Sequence, residues 1–347
     1  MSHIGIDCRF ASGHSGIGRY TREIVLSLLN LSSDHRFTLF VLSKNEEWLL
    51  GLPGKFTVVE ATMRHYSLAE QLRLPRIIED AGIDLFFSPH FNVPLRCPVP
   101  FVVTIHDLIL HRYPNQASFL KQRAYRFLMK QSVRKAKHII AVSAFTAQEL
   151  LDVYGDIAQS KTTVIHEGIS PDFFPRSKED QQVVRDMYDL KQDYFLYVGN
   201  AKEHKNVQLL IDAYAHAHPS ETELILVSGG KEATDLLLPS GVRCLDSVPE
   251  EHLPALYSAA VALVTASLYE GYCFPVLEAA ACGSAIIATN GSTIAEVAPQ
   301  GALLVEPTVD AFIQAFSQPP EPVNATDAPL WDEAATETLS VLQRACS

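Results

Sequence analysis

Glu270-Gly-Tyr-Cys-Phe-Pro-Val-Leu-Glu278-Ala-Ala-Ala-Cys-Gly283 is the stretch on which the fold turns. The apolar run before it, Val261-Ala-Leu-Val-Thr-Ala266, has the length and continuity of a strand buried on both faces. Pro275 stands where a helix should begin and Gly283 just past where it should end. The reading is therefore strand, loop, short helix, with Glu270 in the loop and Glu278 on the helix's first turn. A helix N-terminus attracts anions through its unpaired N–H groups. Carboxylates beside it accept paired hydrogen bonds from neighbouring hydroxyls. The combination implies a ligand that carries phosphate and hydroxyl groups together, a sugar nucleotide.

The same alternation extends through the chain. Upstream, His3-Ile-Gly-Ile-Asp7, Phe37-Thr-Leu-Phe-Val-Leu42, Phe56-Thr-Val-Val-Glu60, Asp84-Leu-Phe-Phe87, Phe101-Val-Val-Thr-Ile105, His138-Ile-Ile-Ala-Val142 and Thr162-Thr-Val-Ile165 are apolar runs of strand length. Between the first two, Tyr20, Ile24, Leu28 and Leu31 recur at helical spacing. The second half repeats the scheme with Tyr194–Val198, Leu224–Val227, Val242–Leu245, Val261–Val264, Ala285–Ala288 and Ala302–Val305. Strands buried on both faces and separated by helices predict parallel doubly wound sheets. A chain of 347 residues exceeds the roughly 250 at which single cores stop growing. The expected fold class is α/β, with two Rossmann-like domains facing across a cleft and ligands at the carboxyl ends of the strands. The polar, proline-bearing segment Ser170–Asp180 places the boundary, and Gln318-Pro-Pro-Glu-Pro-Val-Asn precedes a last helix from Trp331 to about Cys346. The expected division is 1–175, 176–325 and a terminal helical segment, 326–347.

Composition narrows the function. Hydrophobic residues make up 47% and charged residues 20%, as in an ordinary globular protein. A net charge of −12 argues against nucleic acid as a partner of the whole surface. The six cysteines (Cys8, Cys97, Cys244, Cys273, Cys282, Cys346) are scattered, with no C-x-x-C pair, so neither a disulfide framework nor a structural metal is expected. No tract approaches the ~20 apolar residues that span a bilayer, and the opening residues read as a strand and not a signal peptide, so a cytoplasmic protein is expected.

Four further segments carry candidate chemistry. Ser15-Gly-Ile-Gly18 follows the first strand and opens a helix, so Gly16 and Gly18 either let the backbone approach an anion or only make a tight turn. Its spacing is wrong for a dinucleotide fingerprint. His106 ends a strand, where it can donate to a hydroxyl, change charge near neutral pH, or serve as a structural group. Gly199-Asn-Ala-Lys202-Glu-His-Lys205 joins a strand to a helix with two cations, which a leaving phosphate needs. Finally, residues 108–148 hold no Asp or Glu but eight Lys and Arg, from Arg112 to Lys137, interleaved with Phe119, Tyr125, Leu128 and Met129. A basic amphipathic helix there suits an anionic membrane surface, or a solvated helix packed on the first sheet.

The block Glu270–Gly283 resembles the E-x7-E signature of family-4 retaining glycosyltransferases, two-domain GT-B enzymes, and the resemblance runs from Gly5-Ile-Asp7 to the terminal helix. It implies an acceptor-side first domain, a donor-binding second domain, and a terminal helix, Trp331-Asp-Glu-Ala-Ala-Thr-Glu-Thr-Leu, that packs back on the first. It also implies no metal and no cofactor beyond the donor. By this resemblance His106 orients the donor sugar and acts in the transition state, and Gly16 and Gly18 near the diphosphate. Lys205 matches the family's diphosphate lysine; Asn200 stands where arginine is commonest, with Lys202 as its replacement or helix N-termini carrying more of the load. Glu278 takes the ribose hydroxyls and Glu270 those of the transferred sugar, with the N–H groups of Tyr272, Cys273 and Phe274 toward sugar or diphosphate. Cys273 replaces the usual glycine, and Glu167 the usual asparagine. The wording Val-Gly-Asn-Ala-Lys-Glu-His-Lys-Asn is most similar to bacterial mannosyltransferases that use GDP-mannose and a saccharide or lipid-linked acceptor for surface polysaccharide. A UDP-sugar donor, a sugar-nucleotide epimerase and an inactive binding member are the other readings.

Overall fold

The computed structural model describes residues 2–13, 16–31, 35–217, 222–323 and 329–347. Ser15 of the glycine loop and residues 326–328 of the expected terminal segment lie outside them. The chain divides into two compact units, one of Met1–Gly168 with Pro329–Ser347 and one of Ile169–Ala328.

In the first unit the strands are β1 (His3–Asp7), β2 (Arg36–Val41), β3 (Phe56–Glu60), β4 (Leu85–Ser88), β5 (Phe101–Ile105), β6 (His138–Ala141) and β7 (Thr162–Val164). They form one parallel sheet in the order β3-β2-β1-β4-β5-β6-β7. Every residue of β4 and β5 is buried, as the unbroken apolar runs require. In the second unit β8 (Asp193–Val198), β9 (Thr222–Val227), β10 (Val242–Leu245), β11 (Ala262–Thr265), β12 (Ile286–Thr289) and β13 (Leu303–Val305) form a second parallel sheet, β10-β9-β8-β11-β12-β13. All thirteen expected strands are present, displaced at most two residues at either end.

The crossing between units differs from the expectation. The second unit begins at Ile169 and not after 175, because Phe173 packs in the second core, its ring 6.2 Å from that of Tyr257. The polar look of Ser170–Asp180 concealed that apolar anchor.

The terminal helix, Trp331–Cys346, belongs to the first unit and buries Trp331, Ala334, Ala335, Val341 and Leu342. Trp331 lies 5.8 Å from Tyr20 on the Gly16–Leu31 helix, ring to ring. Gly168 permits this docking, since a Cβ there would stand 2.2 Å from the Trp331 backbone nitrogen and 2.6 Å from the Leu330 carbonyl carbon. Both neighbours are main chain and have no rotamer to escape into. Gly168→Ala is therefore expected to destabilise the protein by about 1–3 kcal/mol and to lower its melting temperature by several degrees. A calorimetric trace superimposable on wild type would remove the helix docking as a constraint.

Candidate active site

In the second sheet the chain lays β8, β9 and β10 outward in one direction, then returns to place β11 on the other side of β8. The reversal leaves the loops after β8 and β11 side by side, the position at which open α/β sheets take their ligands. Both decisive sequence segments are these loops. His204, in the turn Glu203–Lys205 after β8, accepts at its carbonyl from the Leu268 N–H at 2.8 Å, which joins the two. Lys205 and Glu270 then meet: the ammonium donates to Glu270 Oε1 at 2.5 Å, with side chains 18% and 11% exposed. Between them His204 is neutral, its pKa pulled down to about 4 by burial and by the charge of Lys205.

The helix after Glu270 is Phe274–Ala281, one residue earlier than expected. Pro275 is its second residue, and Glu278 lies in the second turn and not the first. The cause is Cys273, whose left-handed φ of 68° turns the chain into the helix early. That conformation strains a residue bearing a Cβ. Cys273 makes no side-chain cap, and burial, then Glu270, raises its pKa well above the ordinary thiol value, so it stays protonated. Gly283 closes the helix as expected: at φ 71° it donates to the Ala280 carbonyl while Ser284 donates to that of Ala279. Glu278 is buried and receives the Tyr257 hydroxyl on Oε2 at 2.9 Å. Tyr272 and Cys273 are buried, and the rings of Tyr272 and Phe274 meet edge-on at 5.7 Å.

Gly199, at φ 151°, ends β8, and the Tyr197 hydroxyl donates to the Asn200 carbonyl at 2.6 Å. The Asn200 side chain accepts from the Lys202 backbone N–H at 3.3 Å. Where arginine was looked for, this residue braces a turn. Lys202 itself is exposed.

The remaining candidates lie in the first unit. His106, just past β5, is nearly buried: Nδ1 is 2.8 Å from Glu167 Oε1 and Nε2 is 2.9 Å from the Pro89 carbonyl oxygen. Burial lowers its pKa, yet the hydrogen bond and charge of Glu167, the Pro89 carbonyl and Asp107 together raise it above the ordinary value. Gly18 has a packing role, because a Cβ there would stand 2.2 Å from the Gly13 carbonyl oxygen and 2.9 Å from that of Phe10. Arg22 fastens the same loop, donating to the carbonyls of Ala11 and Gly13. Gly16 is the exposed first residue of the helix. Sequence reasoning missed Tyr257, which gives no local signal, and the pairing role of Glu167, visible only as a departure from the family's wording. It also missed buried Arg9, forked between Asp7 and Glu70 at 2.7 and 2.8 Å.

The expected basic helix from Arg112 to Lys137 is broken. Pro114 ends a four-residue helix, Ile109–Arg112, and the long helix is Phe119–Lys135. Arg112 pairs with Glu149 and Lys137 donates to the Ala345 carbonyl. No helix among the described residues is long and apolar enough to cross a membrane.

Residues 14–173 match the family described as Glycosyltransferase Family 4, and residues 180–319 match Glycosyl transferases group 1. The chain belongs to glycosyltransferase family 4. It is similar to the O-antigen chain mannosyltransferase B of Escherichia coli, 29% identical over 86% of this chain and 85% of that protein. The Salmonella typhimurium O-antigen chain mannosyltransferase RfbU is 30% identical over 70% of this chain and 66% of its own. Among solved structures, Anabaena HepE in complex with UDP and glucose superposes with a TM-score of 0.72 at 17% identity, covering 99% of this chain and 98% of that one. The fold is accordingly that of the GT-B glycosyltransferases, and the protein is a glycosyltransferase.

Tyr257→Phe removes one hydrogen bond to a buried carboxylate, for which a loss of about 1.5–3 kcal/mol is expected. Urea denaturation measures it, and an unchanged midpoint would mean that Tyr257 does not hold Glu278.

Proposed function

We propose that this glycosyltransferase moves a hexose, mannose from GDP-mannose, with retention at the anomeric carbon, onto a saccharide or lipid-linked saccharide acceptor of a surface polysaccharide. The observation that carries the reading is the Lys205–Glu270 pair at the strand-order reversal, a cation and a hydroxyl acceptor side by side. Lys205 meets the charge that gathers on the departing diphosphate, the step at which a fixed cation is worth several kcal/mol. Glu270 accepts from the hydroxyls of the transferred sugar. Glu278, its carboxylate oriented by Tyr257, accepts from the ribose hydroxyls. Gly199, Asn200 and Lys202 shape the loop beside the diphosphate, and the first turn after Cys273 offers backbone N–H groups. The choice of mannose is supported by the O-antigen mannosyltransferases to which the chain is similar.

The same reading places the Phe119–Lys135 helix on anionic lipid, at the inner face of a membrane. Its second half is anchored by buried Met129 and Val133, while Phe119, Leu120 and Phe127 are 67%, 78% and 52% exposed. Exposed Lys121, Arg123, Arg126, Lys130 and Arg134 share the helix with them. Apolar side chains among cations suit a headgroup boundary, where each base near anionic lipid contributes roughly 1 kcal/mol.

Purified protein incubated with a panel of GDP- and UDP-sugars is expected to release GDP from GDP-mannose. Release from a UDP-sugar alone would reassign the donor, an epimerised donor would reassign the reaction, and no product from any donor would favour a binding role. Lys205→Ala is expected to lower kcat by about 10²–10³-fold, and a variant within threefold of wild type would dismiss the lysine. Vesicles of anionic lipid should sediment the protein at low salt and fail to do so after Phe119→Ser with Lys121→Glu. Equal sedimentation of both proteins, or of neither, refutes the membrane contact.

A further inference from the structure

Within the second unit, the main chain holds the Lys205–Glu270 pair from both sides. The Ser267 hydroxyl, just past β11, stands 3.4 Å from the His204 carbonyl oxygen and 3.2 Å from that of Tyr269. This forked donation joins the residue before Lys205 to the residue before Glu270. The Leu268 N–H reaches the same His204 carbonyl, and the Lys205 N–H closes its own turn on the Lys202 carbonyl at 2.8 Å. The two loops are tied together, so an exchange of partners takes place at the side chains.

The surroundings give that exchange a consequence. His204 is neutral at pH 7, its pKa held near 4 by burial and by Lys205. The Cys273 thiol and the Tyr197 phenol stay protonated because of burial and then of Glu270 itself. Lys202 is exposed, where water and salt screen it. None of these groups stands in for Lys205 as the countercharge of Glu270. An anion that draws off the ammonium strands a carboxylate whose side chain is only 11% exposed, and places a second negative charge beside it. Hydroxyl groups on the same ligand offset that loss, because they donate to the carboxylate.

We propose that Glu270 is a specificity-determining residue that competes with the donor's diphosphate for Lys205, so that an intact sugar nucleotide is held and its nucleoside diphosphate is let go. Resting on the reading of the protein as a sugar-nucleotide transferase, this deepens it. While the hexose is attached, its hydroxyls occupy Glu270 and Lys205 serves the diphosphate. Once the hexose has left with the acceptor, Glu270 recaptures the ammonium and weakens the grip on the product.

Calorimetric titration with GDP and GDP-mannose tests this, with UDP and UDP-glucose as the alternative pair. In Glu270→Gln, a neutral isostere, GDP should bind about tenfold more tightly than to wild type, whereas GDP-mannose should not gain. Glu270→Ala should shift GDP in the same direction. A residue that merely shaped the loop would weaken both ligands when replaced. In wild type, free mannose should tighten GDP binding by linkage, since its hydroxyls release Lys205 from Glu270. Absence of that synergy overturns the proposal even if the variants fail to fold, and so does a nucleoside diphosphate affinity unchanged or weakened in Glu270→Gln. A wild-type protein that binds neither nucleotide pair overturns the underlying reading as well. Nucleotide binding without the predicted shift overturns the competition alone.

Discussion

The order of strands in the second sheet is the constraint on which the rest depends. Because β11 returns to the far side of β8, two loops more than sixty residues apart in sequence become neighbours. Lys205 and Glu270 are brought together by that topology, with the Leu268 to His204 backbone bond as the clasp. Nothing local to either segment does it. The pairing also bears on which ligands are admitted. A ligand with phosphate alone would take Lys205 and leave Glu270 a poorly solvated lone carboxylate; one with hydroxyls alone would strand the ammonium. Removing one partner of a partly buried pair is penalised heavily. On the proposed function, a sugar nucleotide carries both groups and so replaces both sides of the exchange.

The helix beside that pair is set by a conformational compromise. Cys273 stands in a left-handed backbone region that glycine enters freely and other residues enter at a penalty of roughly 1–2 kcal/mol. The strain is met by burial of the thiol among the apolar residues of the second core. Its result is geometric: the helix starts at Phe274, and Glu278 is carried into the second turn, within reach of the Tyr257 hydroxyl. A carboxylate in the first turn would depend on backbone N–H groups for its orientation. In the second turn it takes that orientation from a tyrosine on another helix.

The strands were legible in the sequence because each is buried on both faces, so the apolar run is the signal and the end is blurred by one or two residues. Gly283 was legible because a positive φ at a helix end selects glycine. The early start at Cys273 was not, since cysteine carries no preference for that conformation and Pro275 misdirected the count. The crossing at Ile169 was hidden by the polar residues around Phe173. For the site, the stretches that matter were found as motifs, whereas the contacts among them were not: Tyr257 with Glu278, and Glu167 with His106, join residues 21 and 61 apart. Hydrogen bonds of that kind depend on sheet order, which a single sequence does not encode locally. The start of the basic helix was misjudged because charge composition ignores the break at Pro114, and its end falls two residues short of Lys137, at Lys135.

Three buried or nearly buried charge clusters remain to be accounted for together: Arg9 between Asp7 and Glu70, His106 with Glu167, and Lys205 with Glu270. Stability does not explain them. Desolvation cancels most of the attraction in such pairs, and apolar residues of similar volume commonly do as well or better. The surrounding cores, rich in Ile, Val, Leu and Phe, could accommodate such residues. Each cluster instead follows the carboxyl end of a strand at or next to a reversal of strand order: β1 beside β4, β5 one strand further, and β8 beside β11. What a low-dielectric setting supplies there is charge that stays put, neither screened by solvent nor free to reorient. Charge fixed in that way is the kind that enzymes use where charge develops during a reaction, and each sheet carries it near its own reversal of strand order.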